Sequence, residues 1–304
     1  MRRRWWWALV GVAVTAGTAP AGAQVRGVYP TGMSATNSGV TPASGYTYSN
    51  LFIFNERNAS KGPEGEVVTT GTNAIMIDLN TVAWVSTKRV LNGARLSATA
   101  TLLFSNNSLA SDTAGPLSAG GGFADFYLQP FILGWDTDRL GVRTAYGVLA
   151  PTGRFNAGAS DNVGSGYWTH ALSAGLTYFP TRSKSTALSV FHMYEFHTVQ
   201  EGTDIHPGQT GNIDYSVMQT FGVRDAQVQL GLIGYEQWQT TARTGPSITP
   251  AQSSTRYLVN SMGGAANISL PDRKLSLGVK YFKEFASRST YEGHSMHISA
   301  AVTF

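Results

Sequence analysis

The chain has 304 residues, of which 42% are hydrophobic, 13% charged and 11% aromatic, with 34 glycines, no cysteine and a formal charge of +4. Soluble domains carry about 25% charged residues, and disordered chains hold fewer aromatics and more charge. The missing thiols exclude zinc ribbons, disulfide scaffolds and thiol enzymes.

The charge is concentrated at the start. Arg2, Arg3 and Arg4 precede an apolar stretch from Trp5 to Val14, and Ala21-Gly22-Ala23 places small residues where a signal peptidase cuts. This predicts a secretory signal peptide over 1–23, cleaved after Ala23. Its loss removes three of the 22 basic residues against 18 acidic ones, leaving no electrostatic case for nucleic acid as a partner. Residues 24–43 contain Pro30-Thr31-Gly32 and Gly39-Val40-Thr41-Pro42, too rich in Gly, Ser, Thr and Pro for a helix or strand. They read either as a periplasmic lead-in or as a plug tucked into a lumen.

From residue 44 to 304 the recurring pattern has period two. Leu275, Leu277, Val279, Tyr281 and Phe285 alternate with Ser276, Gly278, Lys280 and Glu284; Leu188, Val190, Tyr194 and Phe196 alternate with Ser189, Met193, Glu195 and His197. Such alternation, bounded by Gly, Pro, Asn and Asp, marks half-buried strands. It predicts twelve of them, at 44–57, 71–87, 94–105, 123–135, 139–150, 166–179, 184–198, 208–221, 225–239, 255–269, 273–286 and 291–304. No run of 18 apolar residues follows the leader, so helical membrane spans are excluded.

The connections sharpen the reading. Asp136-Thr137-Asp138, Gly222-Val223-Arg224 and Leu270-Pro271-Asp272 are tight, whereas 58–70, 106–122, 151–165 and 240–254 are long and rich in Gly, Ser, Asn and Thr. Short turns alternating with long loops characterise an outer-membrane barrel, the short side being periplasmic. A secreted β-sandwich shares the strand pattern but has no reason for that asymmetry. Ile298, Ala300, Val302 and the terminal Phe304 complete the picture, since an aromatic-ending strand resembles the signal read by the outer-membrane assembly machinery. The fold class expected is all-β: a single antiparallel transmembrane β-barrel of twelve strands in the bacterial outer membrane, with outer-membrane lipid around it.

Closure follows from hydrogen bonding, because hydrocarbon leaves no water for an unpaired sheet edge. Aromatics near strand ends (Trp84, Trp135, Tyr178, Phe221 and Phe304 below; Tyr167, Trp168, Phe196, Trp238 and Phe285 above) suit interfacial girdles. The opposite parity gives a lumen with Asp78, Asp125, Gln129, Arg143, Glu195, Asp214, Gln227, Gln229, Lys280, Glu284 and His297, joined by Tyr127, Phe131, Phe191, Tyr235 and Phe282. Ionisable groups in a narrow lumen should pair, and an inward aromatic wall suits an apolar or aromatic solute. The pore-lining candidates are Arg143, Glu195, Asp214, Lys280, Glu284, Tyr127, Phe191 and Tyr235. Pro130 removes a ladder donor and predicts a bulge, as does Gly263-Gly264.

Catalysis finds little support. His297-Ile298-Ser299 matches the spacing of lipid hydrolases with a lipid-facing His and Ser, but its parity is inward; His192 faces outward without a Ser two residues on. No GxSxG, HExxH or phosphate-binding glycine loop occurs, and no cofactor or metal site is expected.

Several stretches resemble one family. Gly211-Asn212-Ile213-Asp214-Tyr215 with Phe221, Gly231-Leu232-Ile233-Gly234-Tyr235 with Gln237, Pro151-Thr152-Gly153-Arg154-Phe155, Gly164-Ser165-Gly166-Tyr167-Trp168 and Lys280-Tyr281-Phe282-Lys283-Glu284-Phe285 resemble outer-membrane proteins labelled as the meta-pathway of phenol degradation family. Tyr29-Pro30, Gly32, Gly39 and Gly45-Tyr46 match its amino-terminal pattern. The resemblance implies an outer-membrane barrel with a transporter-like role, often found near genes for aromatic catabolism, and implies no catalytic step. Thr240-Thr241-Ala242-Arg243-Thr244 lacks the acid the family carries after the Tyr–Gln strand. The function expected is passage of small hydrophobic or aromatic solutes; the alternatives are a closed barrel with ligand-binding loops and a lipid-modifying enzyme.

Overall fold

A computed structural model describes residues 26–111, 114–159 and 161–304; the expected signal peptide lies outside them. Thirteen antiparallel strands follow: β1 (Gly45–Lys61), β2 (Val67–Val90), β3 (Ala94–Ser111), β4 (Ala114–Phe123), β5 (Phe126–Asp136), β6 (Leu140–Ala150), β7 (Thr169–Tyr178), β8 (Thr186–His197), β9 (Thr210–Val223), β10 (Ala226–Gln239), β11 (Leu258–Leu270), β12 (Leu275–Arg288) and β13 (Tyr291–Thr303). A short helix, α1 (Pro250–Ser254), sits in the loop between β10 and β11. Apart from β4, which pairs only with β3, each strand pairs with two or more others; β3 pairs with β5 as well as β2, and β1 pairs with both β2 and β13, so the sheet closes on itself.

The ring has twelve wall positions. β4 and β5 share one of them: β4 pairs with the upper part of β3 (Phe104↔Phe123), and β5 takes the lower part (Thr101↔Tyr127), the two separated by Ala124 and Asp125. Strands β1, β2 and β3 run for 17, 24 and 18 residues, well beyond the roughly 9–11 needed to cross a bilayer. Much of 58–70 and 106–122 is therefore paired strand rather than loop, because Thr- and Val-rich stretches such as Val67-Val68-Thr69-Thr70 extend the ladder past the membrane. Tight turns at 91–93, 137–139 and 224–225 face one way, and the connections 151–168, 198–209 and 240–257 face the other.

Alternation decides the two faces. Along β8, Ala187, Ser189, Phe191, Met193, Glu195 and His197 are buried, while Leu188, Val190, His192 and Phe196 are exposed outward. Three expected inward residues depart from this scheme. Phe131 is 63% exposed on the outer face, because the register slips between Leu128 and Phe131 at Pro130 and reverses parity beyond it. Asp78 shares the outward parity of Met76, Val82 and Trp84 and bonds to Asn50 and Asn80 (2.5 and 3.0 Å). Asp125 lies in the break between β4 and β5, where it accepts Gly153 N–H (3.0 Å), Ser165 N–H (2.8 Å) and Ser165 Oγ–H (2.6 Å), and so anchors a loop.

The glycine pair of β11 behaves differently from Pro130. Pairing runs unbroken through Gly263 and Gly264 on both sides; a Cβ at Gly263 would collide with the Tyr281 carbonyl, so close approach rather than a bulge requires it. Trp84, Tyr178, Phe221 and Phe304 on the short-turn side, with Trp168, Phe196 and Phe285 opposite, stay exposed as girdle residues should. Tyr167 does not: it is buried, edge-on to His197 at 5.2 Å, because it precedes β7 and turns into the mouth.

Candidate functional site in the lumen

Residues 26–43 run inside the barrel. Arg26 meets Thr290 and Tyr291, at the hairpin joining β12 and β13 on the long-loop side, and Thr41 packs against Gly134 toward the short turns. The segment therefore descends the length of the lumen before β1 begins. It has no regular structure of its own, so its backbone groups need partners from the wall.

Those partners are the lumenal ionisable residues. Asp214 accepts the Tyr29 hydroxyl (2.5 Å) and the N–H groups of Gly32 and Ser34 (both 3.0 Å). Glu195 accepts Tyr29 N–H at 2.6 Å. Lys280 donates to the carbonyls of Gly32 (3.0 Å) and Met33 (2.7 Å). Glu284 receives both terminal nitrogens of Arg26, the Tyr235 hydroxyl (2.8 Å) and Gly293 N–H (2.8 Å). Burial works against the charge on Arg26, but the Glu284 carboxylate more than restores it, and the guanidinium stays protonated above its ordinary value. Burial first, and then Asp214, push the Tyr29 hydroxyl well above the usual phenol range, so it remains a donor.

The inward aromatics also hold the segment. Tyr29 lies 5.6 Å from Phe191, centroid to centroid, and Tyr235 packs on Phe282 at 5.0 Å. Gly32, at φ +82°, passes beneath the Phe282 ring, where a Cβ would collide. Lower down, three inward glycines clear a track: Gly175 against Ser38, Gly141 against Gly39 and Gly134 against Thr41.

Of the eight pore-lining candidates, Glu195, Asp214, Lys280, Glu284 and Phe191 thus touch the segment, and Tyr235 reaches it through Glu284. Arg143 is inward opposite Gly134, and its Nε has no partner among the described residues. Tyr127 borders open space. That space is a cavity of about 530 Å³ bounded by Met33, Thr36 and Asn37 of the segment and by Leu51, Leu79, Thr81, Thr99, Thr101, Tyr127, Gln129, Gln229, Asn267, Lys280 and His297, among others. A second space of about 90 Å³ lies beside residues 26–31, against Ile53, Asn55, Arg57, Ile77, Gln237 and His297. His297 belongs to both linings. Ser295 Oγ is 3.5 Å from His297 Nε2 inside the lumen, so this histidine does not face lipid; His192, on the outer face, meets the Asn212 carbonyl at 2.9 Å and stacks on Trp238.

Sequence parity missed Arg57 and Arg26. Arg57 stands at the margin of the first expected strand, although it shares the parity of Ile53 and Asn55, and Arg26 belongs to a segment whose position alternation does not specify.

A family model described as "Putative MetA-pathway of phenol degradation" matches residues 57–299. The chain belongs to that family. An outer membrane channel from Pseudomonas putida F1 has the same fold, with a TM-score of 0.71 at 13% identity over 87% of this chain and 97% of that one. The β domain of the Bordetella autotransporter BrkA is a more distant match, with a TM-score of 0.54 at 12% identity over 86% and 100%. No curated protein matches the chain in sequence. Family membership and the closed barrel place the protein in the bacterial outer membrane.

Proposed function

We propose that this member of the family is an outer-membrane channel for small solutes of hydrophobic or aromatic character, with residues 26–43 as a lumenal plug that narrows the route. The carrying observation is the cavity of about 530 Å³ left between the segment and the wall, bordered by residues of β1–β3, β5 and β9–β13. A barrel serving only as a surface platform has no need of such a space, since filled interiors are close-packed. The cavity mixes apolar surface (Met33, Leu51, Leu79, Tyr127) with hydroxyl and amide groups, which suits an aromatic ring bearing a polar substituent. The similarity in fold to the Pseudomonas putida F1 channel supports the reading.

The test is uptake of benzoate by liposomes holding the full chain. Faster uptake than in empty liposomes is expected, with a further rise of several-fold in a variant lacking residues 26–43. Rates equal to those of empty liposomes for both proteins, once folding is shown by heat-modifiable gel mobility, would remove the channel reading. We also propose that Phe304, 73% exposed at the end of the last strand, is the residue read during assembly; deleting it is expected to slow the appearance of the heat-modifiable form in cells.

A further inference from the structure

We infer that the open route past the lumenal segment selects for anions and that Arg57 sets this selectivity. The inference rests on the channel reading and concerns what the channel passes. By sequence parity the lumen carries both signs of charge, which favours neither kind of ion. The structure separates the signs. The carboxylates of Asp214 and Glu284 each accept three or more donors from the segment and its surroundings, and Glu195 turns to Tyr29 N–H. Among the described residues no Asp or Glu lines either of these lumenal spaces, whereas Arg57, Lys280 and His297 do.

Arg26 also borders the smaller space, but its guanidinium is engaged by Glu284, Thr290 and Tyr291. Lys280 is held by the carbonyls of Gly32 and Met33, which leaves Arg57 as the lining lysine or arginine whose side chain has no fixed partner among the described residues. Among the described residues its buried Nε has no partner and no carboxylate forms an ion pair with it. The register shifts on both sides of β1 between Arg57 and Ala59, with Asn58 extra against β13 and one residue extra on β2 opposite it, and bulges at barrel rims re-aim the neighbouring side chain. The guanidinium therefore borders the narrow space of about 90 Å³ with open donors, in company with the amides of Asn55 and Gln237. A fixed charge of one sign beside a narrow, poorly screened passage governs which ions cross. A carboxylate suits a guanidinium with free donors, because paired N–H groups match its two oxygens. The preferred solutes are small organic acids, with the acid group led past Arg57 and the body received in the larger cavity beyond His297.

The experiment is the reversal potential of the full chain in a planar lipid bilayer under a tenfold KCl gradient, repeated with potassium benzoate. The expected result is a chloride-to-potassium permeability ratio of at least about 3, and benzoate current under the same sign of driving force. Arg57→Gln is expected to bring the ratio close to 1, and Arg57→Lys to keep it above 2 or so. Openings with a wild-type ratio at or below 1 would overturn the inference while leaving the channel reading intact, as would an Arg57→Gln protein with unchanged selectivity. Folded protein that never opens would overturn both. Should Arg57→Gln fail to fold, the wild-type ratio and the Arg57→Lys ratio still decide.

Discussion

Asp214 takes three donors from one short stretch of chain, and the Tyr29 hydroxyl supplies the shortest of these bonds at 2.5 Å. Hydrogen bonds to a charged group contribute about 1.5–3 kcal/mol each. Tyr29→Phe should therefore shift the docking equilibrium of the segment by roughly 10- to 150-fold without touching the wall. Asp214→Asn goes further, since the amide offers one acceptor oxygen where the carboxylate offers two, and its NH₂ group faces other donors. Both proteins are expected to show larger or more frequent openings than wild type in single-channel records, with Asn at 214 the stronger. Openings indistinguishable from wild type in both would mean that these bonds do not hold the segment. At Lys280 the direction is the same: Lys280→Met removes the donors to Gly32 and Met33 and should also raise open probability.

At the scale of the element, β5 and the glycine track explain how a strand's sequence translates into what the lumen can hold. Pro130 breaks the ladder of β5, and beyond it Ile132 and Gly134 point inward while Phe131 and Leu133 point out. That reversal puts a glycine, instead of a leucine, under Thr41. Gly141 in β6 does the same for Gly39, where backbone meets backbone and no side chain fits. Gly141→Val is expected to expel the lower end of the segment while β6 keeps its pairing, as valine favours strands. The natural chain contains no cysteine, so a Thr41→Cys reporter gives a clean measurement: maleimide labelling of folded protein should be at least several-fold faster when Gly141→Val is also present. Equal labelling rates would show that the contact does not position the segment. The same elements mark what sequence makes legible. Alternation with period two located all twelve wall positions and the inward faces of β8, β9, β10 and β12, because lipid and lumen impose opposite polarity on successive residues. It failed at Phe131, since parity was carried through Pro130 without the one-residue slip that the expected bulge causes. It failed at Asp78 because a carboxylate was assigned inward on polarity alone, and its partners Asn50 and Asn80 lie across the outer face. The place of residues 26–43 was not legible, because an irregular segment takes its conformation from wall groups far away in sequence, as in Arg26 with Glu284 and Tyr29 with Asp214.

Over the whole molecule, the outer surface must be apolar enough to sit in lipid, and Leu172, Val190, Val217, Leu232, Val279 and Ile298 meet that need. A polar patch on β1 and β2 interrupts it. Tyr48 donates to Asn80 (2.7 Å), Asn50 donates to Asp78 and Asn80 (2.5 and 3.2 Å), and Asn80 donates to Asp78 (3.0 Å). The cluster satisfies itself, which is how a polar group survives against hydrocarbon. Its energetics are consequently asymmetric. Asp78→Leu alone removes the carboxylate, strands the Asn80 amide and leaves the Asn50 amide only its longer bond to Asn80, and should destabilise the barrel by about 1–3 kcal/mol. The triple replacement Asn50→Leu, Asp78→Leu and Asn80→Leu removes both amides together with the carboxylate and leaves only the Tyr48 hydroxyl, on a side chain that is itself exposed, and should be neutral or stabilising relative to wild type. Urea unfolding in lipid vesicles, followed by tryptophan fluorescence and gel mobility, separates the two. If the triple variant is less stable than the single one, the cluster contributes something beyond mutual satisfaction, such as contact with another polar surface in the membrane; if it is more stable, the polar patch is tolerated by the fold and not required for it.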